Sequence, residues 1–295
     1  MEGLLEGLRV HEPSFLSNLL IYPLSDGRGE SFLTLEEALS SGVAQVQEGG
    51  VISEVELDHQ GEGLLFIHEG EEIVGALQNR IFITSMLLER GRRRLPVACV
   101  EEGRWSGDGG FTLSGYIAFP SLRATNAKEV TLSLRRTGRF STSQSSIWEG
   151  IREREKGLKV RSRTRAMTET FRACQERIEE GYSDYQPMGD QVGFLIYSNA
   201  RFLGAEVFSC PEMFTKFCRK LLASYALDAL VDASRKRRER EIPPQQIMER
   251  FSRPQEVTRA KGIGEGEEVR AILSPLVLRA LLHKEKVVHL SILHL

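Results

Sequence analysis

Apolar and β-branched residues recur in short runs through the first 140 residues, with glycines or charged residues between them. One helix interrupts the pattern, because Thr34 and Glu37 have capping-box spacing ahead of an apolar stripe that can end at Gly42. The predicted strands span residues 43–47, 51–57, 64–68, 78–84, 95–101, 111–119 and 129–135. Many short strands at this spacing indicate a sandwich or a partly open barrel.

From residue 141 the apolar residues change to a helical period. A first helical face carries Ile147, Trp148 and Ile151, and a second carries Met167, Phe171, Cys174 and Ile178, with Gly181 as its stop. A hairpin of residues 192–198 and 202–208 follows, and then a helix that begins near Ser209, is centred near Leu221 and runs to about residue 234.

The chain closes with three more predicted strands, at residues 268–273, 276–282 and 287–293. The fold class is therefore α+β. Residues 1–140 form a β-rich half, and residues 141–295 form a mixed half of helices and antiparallel sheet, packed with the first as one compact unit.

Composition places the chain among globular proteins, with 41% hydrophobic residues, 27% charged residues and a net charge of −2 over 295 residues. This balance gives no overall attraction to nucleic acid or membrane. The four cysteines (Cys99, Cys174, Cys210 and Cys218) have no CxxC spacing, which favours reduced thiols. No apolar run could span a bilayer, and residues 1–10 do not read as a signal peptide, so we expect a cytoplasmic protein.

Two polar runs stand out within the strand-like half, at residues 69–80 and 97–105. Arg80 lies near Glu71 and Glu72 in the first run, and Arg104 lies near Glu101 and Glu102 in the second. A guanidinium can bind a phosphate or carboxylate in bidentate fashion, which would make an anion or nucleotide pocket. An internal salt-bridge network is the alternative, and spacing alone slightly favours it.

Neighbouring residues extend this candidate site. Gln78 could orient a ligand through its amide, or face solvent from its strand; Asn79 lies beside it. Trp105 could stack on a base or close the end of a strand pair. The glycine-rich loop at residues 106–110 has neither dinucleotide-binding nor Walker spacing, so it is weak support for a phosphate site.

Other chemistry has less support. No metal site is predicted, and a metal role for His68, the one histidine beside the polar runs, is the less favoured idea. Cys99 sits among apolar residues as a buried thiol. Two basic segments, residues 151–165 and 235–240, could touch RNA phosphates, but solvated helix surfaces are the usual reading and make nucleic-acid binding the weaker expectation.

The motifs in the polar runs resemble the domain family named for its association with ADP-ribosylglycohydrolase and rhodanese-phosphatase genes. The residues that carry the resemblance are Gly70-Glu71, Gly75, Gln78-Asn79-Arg80, Pro96-Val97, Cys99-Val100-Glu101, Gly103-Arg104-Trp105, Gln144, Trp148, Gly193-Phe194, Gly204, Phe208 and Tyr225. The resemblance implies a domain without an established activity, associated with ADP-ribose, NAD or RNA-repair metabolism.

Three functions follow as hypotheses, and none fixes a reaction, a cofactor or an oligomeric state. The first is binding or processing of a nucleotide-derived ligand such as ADP-ribose or NAD. The ligand-binding set is Glu71, Gln78, Asn79, Arg80, Glu101, Arg104, Trp105, Gln144 and Trp148. The second is a non-catalytic interaction or scaffold protein, and the third is an RNA-associated accessory protein.

The first hypothesis carries a geometric expectation. Arg80 and Glu101 should share a direct or water-bridged hydrogen bond, and Glu71 and Arg104 should belong to the same cluster. The reason is that charges beside apolar β sequence are tolerable only when they satisfy one another or a ligand.

Overall fold

The computed structural model describes residues 4–26, 29–107, 109–232, 242–252 and 256–295. Its strands are β1 (Arg9–Val10), β2 (Ser14–Leu16), β3 (Leu19–Ser25), β4 (Leu33–Thr34), β5 (Ala44–Glu48), β6 (Glu54–His59), β7 (Leu65–Ile67), β8 (Glu71–Gly75), β9 (Arg80–Phe82), β10 (Met86–Leu88), β11 (Gly91–Cys99), β12 (Phe111–Ile117), β13 (Gln191–Ser198), β14 (Arg201–Phe208), β15 (Thr258–Lys261), β16 (Glu267–Leu273), β17 (Leu276–His283) and β18 (Lys286–His294). Its helices are α1 (Leu35–Ser40), α2 (Pro120–Thr137), α3 (Gln144–Leu158), α4 (Met167–Ala173), α5 (Gln175–Tyr182), α6 (Pro211–Asp232) and α7 (Pro244–Ser252). The predicted α+β class is confirmed.

Six strands of the N-terminal half close into a barrel in the order β11-β6-β5-β12-β8-β9. Neighbouring strands are antiparallel, and alternate side chains point inward. Val46 pairs with Leu57 and Val97 with Phe82 in this register, and all four belong to the barrel's own apolar core. These six strands of the β-rich half therefore form a closed barrel rather than a sandwich or a partly open barrel.

A nine-stranded antiparallel sheet forms the other large layer, in the order β1-β3-β13-β14-β18-β17-β16-β15 with β2 beside β3. Strands β1 to β3 come from the start of the chain, and β3 pairs along its length with β13. A smaller sheet of β10, β7 and β4 is hydrogen-bonded separately from these two, and its side chains pack into both the main core and the barrel core.

Helices α2 and α6 pack on one face of the large sheet, and α6 also contacts β12 of the barrel. The main apolar core fills this space and joins sheet, helices and the outer side of the barrel. On the opposite face of the sheet, Ile247 and Phe251 of α7 pack over a second core. Helices α2 and α6 thus lie on the same face of the sheet as the barrel.

The predicted strand at residues 129–135 is wrong, because these residues lie in α2. The helix begins with Pro120 and ends where Gly138 takes a left-handed conformation, with φ of 70°. Its buried positions include Ala124, Ala127 and Val130, which recur at helical rather than strand spacing. Val130 and Leu132 alternate with polar residues, which is typical of a strand. The segment is nevertheless helical, because its apolar residues are buried along one side of α2.

The helix predicted across Phe171 and Ile178 is divided at Cys174 into α4 and α5. The helix centred near Leu221 is confirmed as α6, which ends at Asp232. The basic run at residues 235–240 lies outside the described residues. Among the described residues, no helix is long and apolar enough to cross a membrane. The four cysteines all belong to the described part of the chain, and each is a buried free thiol.

Candidate functional site

Eight of the nine predicted site residues are carried by the segments around one end of the barrel, here called the barrel mouth. At this end β5, β8 and β11 finish and β6, β9 and β12 begin. The eight are Gln78, Asn79, Arg80, Glu101, Arg104, Trp105, Gln144 and Trp148. Glu71 lies at the opposite end of β8.

Arg80 closes the barrel from the inside. Its side chain is 1% exposed, lies over the ring of Phe111 at 5.5 Å, and so faces the barrel core. One guanidinium nitrogen donates to Glu48 at 2.6 Å, and another donates to the backbone oxygen of Glu54 at 3.0 Å. Ile81 does face the main core as expected, but the opposite side of β9 is the barrel interior rather than solvent.

Arg104 ties together the loops of the barrel mouth. Its guanidinium bonds Glu101 at 2.8 Å and the side-chain oxygen of Asn79 at 3.0 Å. It also donates to the backbone oxygens of Gly75, Ala76 and Ser106. The N–H donors of Arg104 are therefore used in hydrogen bonds within the protein.

Gln78 is buried, with 1% of its surface exposed, so the solvent-facing alternative is wrong. Its amide nitrogen donates to the backbone oxygen of Glu101 at 2.7 Å, while its amide oxygen has no hydrogen-bond partner. The backbone N–H of Asn79 donates to the Glu101 carboxylate at 3.2 Å. Glu101 thus holds both Gln78 and Asn79 in place through hydrogen bonds.

Helix α3 lines the same strand end. The side-chain amide nitrogen of Gln144 donates to the backbone oxygen of Cys99 at 2.7 Å, and its amide oxygen accepts from the backbone N–H of Cys99 at 2.9 Å. Gln144 thus bonds Cys99 as a neighbouring strand would. Two turns later Arg152 bonds Glu102 at 3.0 Å. Trp148 lies between them at i+4, on the helix side that runs along residues 99–102. Its indole nitrogen is buried and has no hydrogen-bond partner.

Trp105 is the exposed member of the site, with 55% of its surface accessible. Close by in sequence, Glu102 binds Arg165 at 2.7 Å as well as Arg152. Both arginines are at least two-fifths exposed. The barrel mouth therefore presents an aromatic ring and two accessible guanidinium groups.

The expected single cluster of Arg80, Glu101, Glu71 and Arg104 is not what forms. Arg104 does pair with Glu101, but Arg80 pairs with Glu48. Glu71 instead accepts from Lys220 at 3.3 Å and from the backbone N–H of His68 at 3.1 Å. The strand alternation explains the separation, because Arg80 points into the barrel and Glu71 is at the far end of its strand.

Glu72 is buried without a cationic partner among the described residues, and neither carboxylate oxygen has a hydrogen bond. It pairs in register with Ile81 and so faces away from the barrel interior. Burial raises the pKa of Glu72 to about 7, against smaller opposing effects of Thr168 and Ser114.

A second set of buried charges, absent from the predicted site, joins the barrel side to the large sheet. We call it the junction cluster: His68, Glu69, Thr84, Ser85, Arg123, Glu206, Tyr225, Glu268, Arg270, Arg279, His289 and Ser291, all at most 1% exposed. Arg270, Arg279, Ser291 and Glu206 form one row across four neighbouring strands. The sheet thus places its charges on a single face.

Three carboxylates and three guanidinium groups balance within this cluster. Glu206 binds Arg123, and Glu69 binds Arg279 at 3.2 Å. Glu268 binds Arg279 at 3.2 Å and Arg270 at 2.9 Å. It also accepts a hydrogen bond from the hydroxyl of Thr84 at 3.0 Å. Such pairing is what allows charge in a dry interior.

The two histidines of the cluster are 4.3 Å apart between ring centres. Burial lowers the pKa of His68 well below its usual value, and the neighbouring His289 and nearby arginines act in the same direction. Burial and the guanidinium groups of Arg279 and Arg123 likewise hold the pKa of His289 well below its usual value. Burial and the neighbouring cationic groups therefore disfavour the protonated, charged form of both rings.

One sequence signal could have revealed the junction cluster. Glu206, Arg279 and His289 are each a polar residue inside an otherwise apolar strand. In a strand buried on both faces, such a residue must find its partner across the sheet or from a covering element.

Comparison with known proteins gives one family. A family model described as the ARG and Rhodanese-Phosphatase-superfamily-associated Protein domain, ARPP-1, matches residues 7–293. This confirms the resemblance carried by the motifs. No curated protein and no solved structure matches the chain.

Proposed function

The chain belongs to the ARPP-1 family, and from that premise we propose that it binds a nucleotide-derived small molecule, such as ADP-ribose or NAD, at the barrel mouth. The family's name records its association with other proteins and specifies no reaction. The proposal is therefore a binding function, and it rests on the chemistry of this chain's own residues.

The observation that carries the proposal is that two buried polar atoms on segments around the barrel mouth have no hydrogen-bond partner among the described residues. The amide oxygen of Gln78 can accept a hydrogen bond, and the indole nitrogen of Trp148 can donate one. Each orphaned group costs about 1–3 kcal/mol in desolvation, so such groups are rare unless a ligand or water completes them. A nucleotide carries donors that suit the amide oxygen and acceptors that suit the indole nitrogen.

The accessible groups at the barrel mouth supply the remaining recognition. Trp105 offers a ring for a base to stack on, and Arg152 and Arg165 offer charge for phosphate once they turn from Glu102. Arg80 and Arg104 are committed to internal partners. In this proposal those two arginines shape the site rather than touch the ligand.

Calorimetric titration with ADP-ribose and with NAD tests the proposal. Trp105→Ala should weaken binding by about 5-fold or more, because stacking of one base on an aromatic ring contributes about 1–3 kcal/mol. Phe15→Ala is the matched control, since Phe15 is 80% exposed on β2, outside the site. Unchanged affinity in Trp105→Ala, or no binding by the unaltered protein, would refute the proposal.

Trp148→Phe tests the carrying observation directly. It removes a donor that has no partner in the protein, so folding stability should be kept while ligand affinity falls. Equal ligand affinity in Trp148→Phe and in the unaltered protein would show that the indole nitrogen of Trp148 does not bind the ligand.

A scaffold function is the second candidate, favoured by the internal use of Arg80 and Arg104. The barrel mouth also exposes Val51, Ile52 and Leu77 by 40–51%. Under this alternative none of the nucleotides raises the melting temperature, whereas a ligand of the native state must raise it by mass action.

A further inference from the structure

Two imidazoles and one carboxylate of the junction cluster point at a common centre. One ring nitrogen from each of His68 and His289 and a carboxylate oxygen of Glu206 all lie within 4.8 Å of one another. The Nε2 atoms of His68 and His289 lie 4.0 Å and 3.0 Å from the same Glu206 oxygen. We propose that these three side chains bind one divalent transition-metal ion of the Zn²⁺ or Fe²⁺ kind. The site is separate from the barrel mouth and does not depend on nucleotide binding.

Each of the three ligand side chains has a second polar atom that would not bind the metal, and this atom is held by a hydrogen bond within the protein. The Nδ1 atom of His68 bonds the backbone oxygen of Glu69, and the Nδ1 atom of His289 lies 3.1 Å from the hydroxyl of Ser85. The outer oxygen of Glu206 accepts from Tyr225 at 2.9 Å. Supporting contacts of this type orient metal ligands and fix the histidine nitrogen that faces the ion.

His68 provides an independent indication of a missing partner. Its ring is fully buried, and its Nε2 atom has no hydrogen bond to any residue that the structure describes; a carboxylate oxygen of Glu206 is 4.0 Å away. A purely structural network would leave this nitrogen facing a charged group without a bond, which is uncommon for a buried polar atom. A metal ion gives the lone pair of a neutral imidazole a partner.

The spacing suits such an ion after small shifts. Glu206 lies 3.0 Å from His289 and 4.0 Å from His68. A tetrahedral ion with bonds of about 2.0–2.2 Å separates its ligand atoms by about 3.4 Å, which falls between these distances. Two nitrogen donors favour Zn²⁺ or Fe²⁺ over Mg²⁺ and Ca²⁺, which prefer oxygen.

The nearby guanidinium groups approach the ligands from outside. Arg123 binds the outer oxygen of Glu206, and Arg279 lies 3.3 Å from the Nδ1 atom of His289. For the ion to bind, His289 takes the tautomer that carries its proton on Nδ1, where it donates to the Ser85 hydroxyl at 3.1 Å and leaves the lone pair of Nε2 for the ion. No proton leaves the site in this step.

Phe208 lies between this site and the surface. Its ring is 5.9 Å from that of His68 and 4.8 Å from that of His289. It also lines a surface cavity of about 1010 Å³. Because the ligands are fully buried, we expect uptake to be slow in the folded protein and faster during refolding.

The test uses Co²⁺, whose visible absorption reports nitrogen and oxygen ligands. The full chain is unfolded in chelator, refolded with Co²⁺ and measured for absorption and for bound metal by elemental analysis. We expect one ion per chain and a raised melting temperature, because binding to the native state stabilises it. No stoichiometric metal after refolding would overturn the proposal.

His68→Phe is the decisive variant. His68 stacks on Phe217 with ring centres 5.3 Å apart, so a phenyl ring keeps the aromatic packing and removes only the ligand atom. We expect Co²⁺ affinity to fall by about 100-fold or more. His283→Phe is the matched control, because His283 packs against Phe32 outside the cluster and its loss should leave binding unchanged.

A second measurement covers failure of the variant to fold. X-ray absorption of the unaltered protein refolded with Zn²⁺ should show two imidazole ligands on each ion. Equal Co²⁺ affinity in a folded His68→Phe, or a Zn²⁺ ion without imidazole ligands, would overturn the assignment.

Discussion

Arg123 is 1% exposed and lies between Glu69 and Glu206, so its guanidinium has left water and depends on those carboxylates. Its ring contact with Tyr225, at 5.7 Å, adds a smaller attraction. At the residue scale, the interior of this protein tolerates charge only where neighbours from other elements supply the opposite sign.

Arg123→Leu should therefore destabilise the protein by about 3–5 kcal/mol, because it strands the charge of Glu206 in the core. Urea unfolding measures the change. Arg93→Ala is the control, since the Arg93–Glu89 pair is exposed and its loss should leave the midpoint nearly unchanged. Similar midpoints for the two variants would show that the junction cluster carries no special stability.

Glu72 makes stability depend on pH in a defined direction. Its pKa is raised from 4.5 to about 7 in the folded protein, so the folded state binds more protons than the unfolded state between these values. Stability should be highest below pH 4.5 for this group and be lost as pH rises to about 7. Glu72→Gln should remove this dependence and gain up to about 3 kcal/mol at pH 8.

Urea midpoints from pH 5 to pH 8 for both proteins measure the effect. If the difference in urea midpoint between Glu72→Gln and the unaltered protein did not increase from pH 5 to pH 8, the prediction would be wrong.

At the scale of elements, local signals predicted most of the strands and helices but not their partners. Thr34 forms the capping box with Glu37 that its spacing indicates, and the hairpin of β13 and β14 forms as expected. β8, in contrast, was missed, because its residues carry the charges of the first polar run. Alternation also made part of α2 resemble a strand, although Gly138 marked its end.

Gly138→Ala tests the end of α2. Gly138 has φ of 70°, and an added Cβ would meet nothing within 4 Å, so the cost is conformational only. We expect a loss of about 1 kcal/mol in urea unfolding, and a smaller loss for Gly138→Asn, because Asn tolerates this conformation better. Equal losses in both variants would point to another cause.

At the scale of the whole molecule, the sequence indicated which polar residues lie near one another but not how they pair. The motifs placed Gln78, Glu101 and Arg104 together correctly, because they lie on adjacent strand ends. The partner of Arg80 was missed, since a closed barrel turns its side chain inward toward β5. The junction cluster depends on contacts between residues far apart in sequence, such as Glu69 with Ser291, which no local pattern specifies.

The same long-range contacts predict that barrel and sheet unfold together. The junction cluster joins Glu69, Thr84 and Ser85 to Glu268 and Arg279, so separating the two layers would expose or strand several buried charges. Strand β3, from the start of the chain, is also paired with β13 in the large sheet. We expect one cooperative transition rather than two.

Two spectroscopic probes measure this prediction in a single urea titration. Trp105 follows β11 and Trp148 lies on α3 beside the end of β11, so tryptophan fluorescence reports on the barrel mouth, whereas far-ultraviolet circular dichroism reports on the helices and strands of the whole protein. Trp105→Phe, which leaves the less exposed Trp148 as reporter, checks that the fluorescence change is not a local event at the surface. The two midpoints should coincide in both proteins, because the charged contacts between the layers make partial unfolding more costly than complete unfolding. Fluorescence and dichroism midpoints that differ would mean that the barrel unfolds independently, and that the junction cluster does not couple the layers.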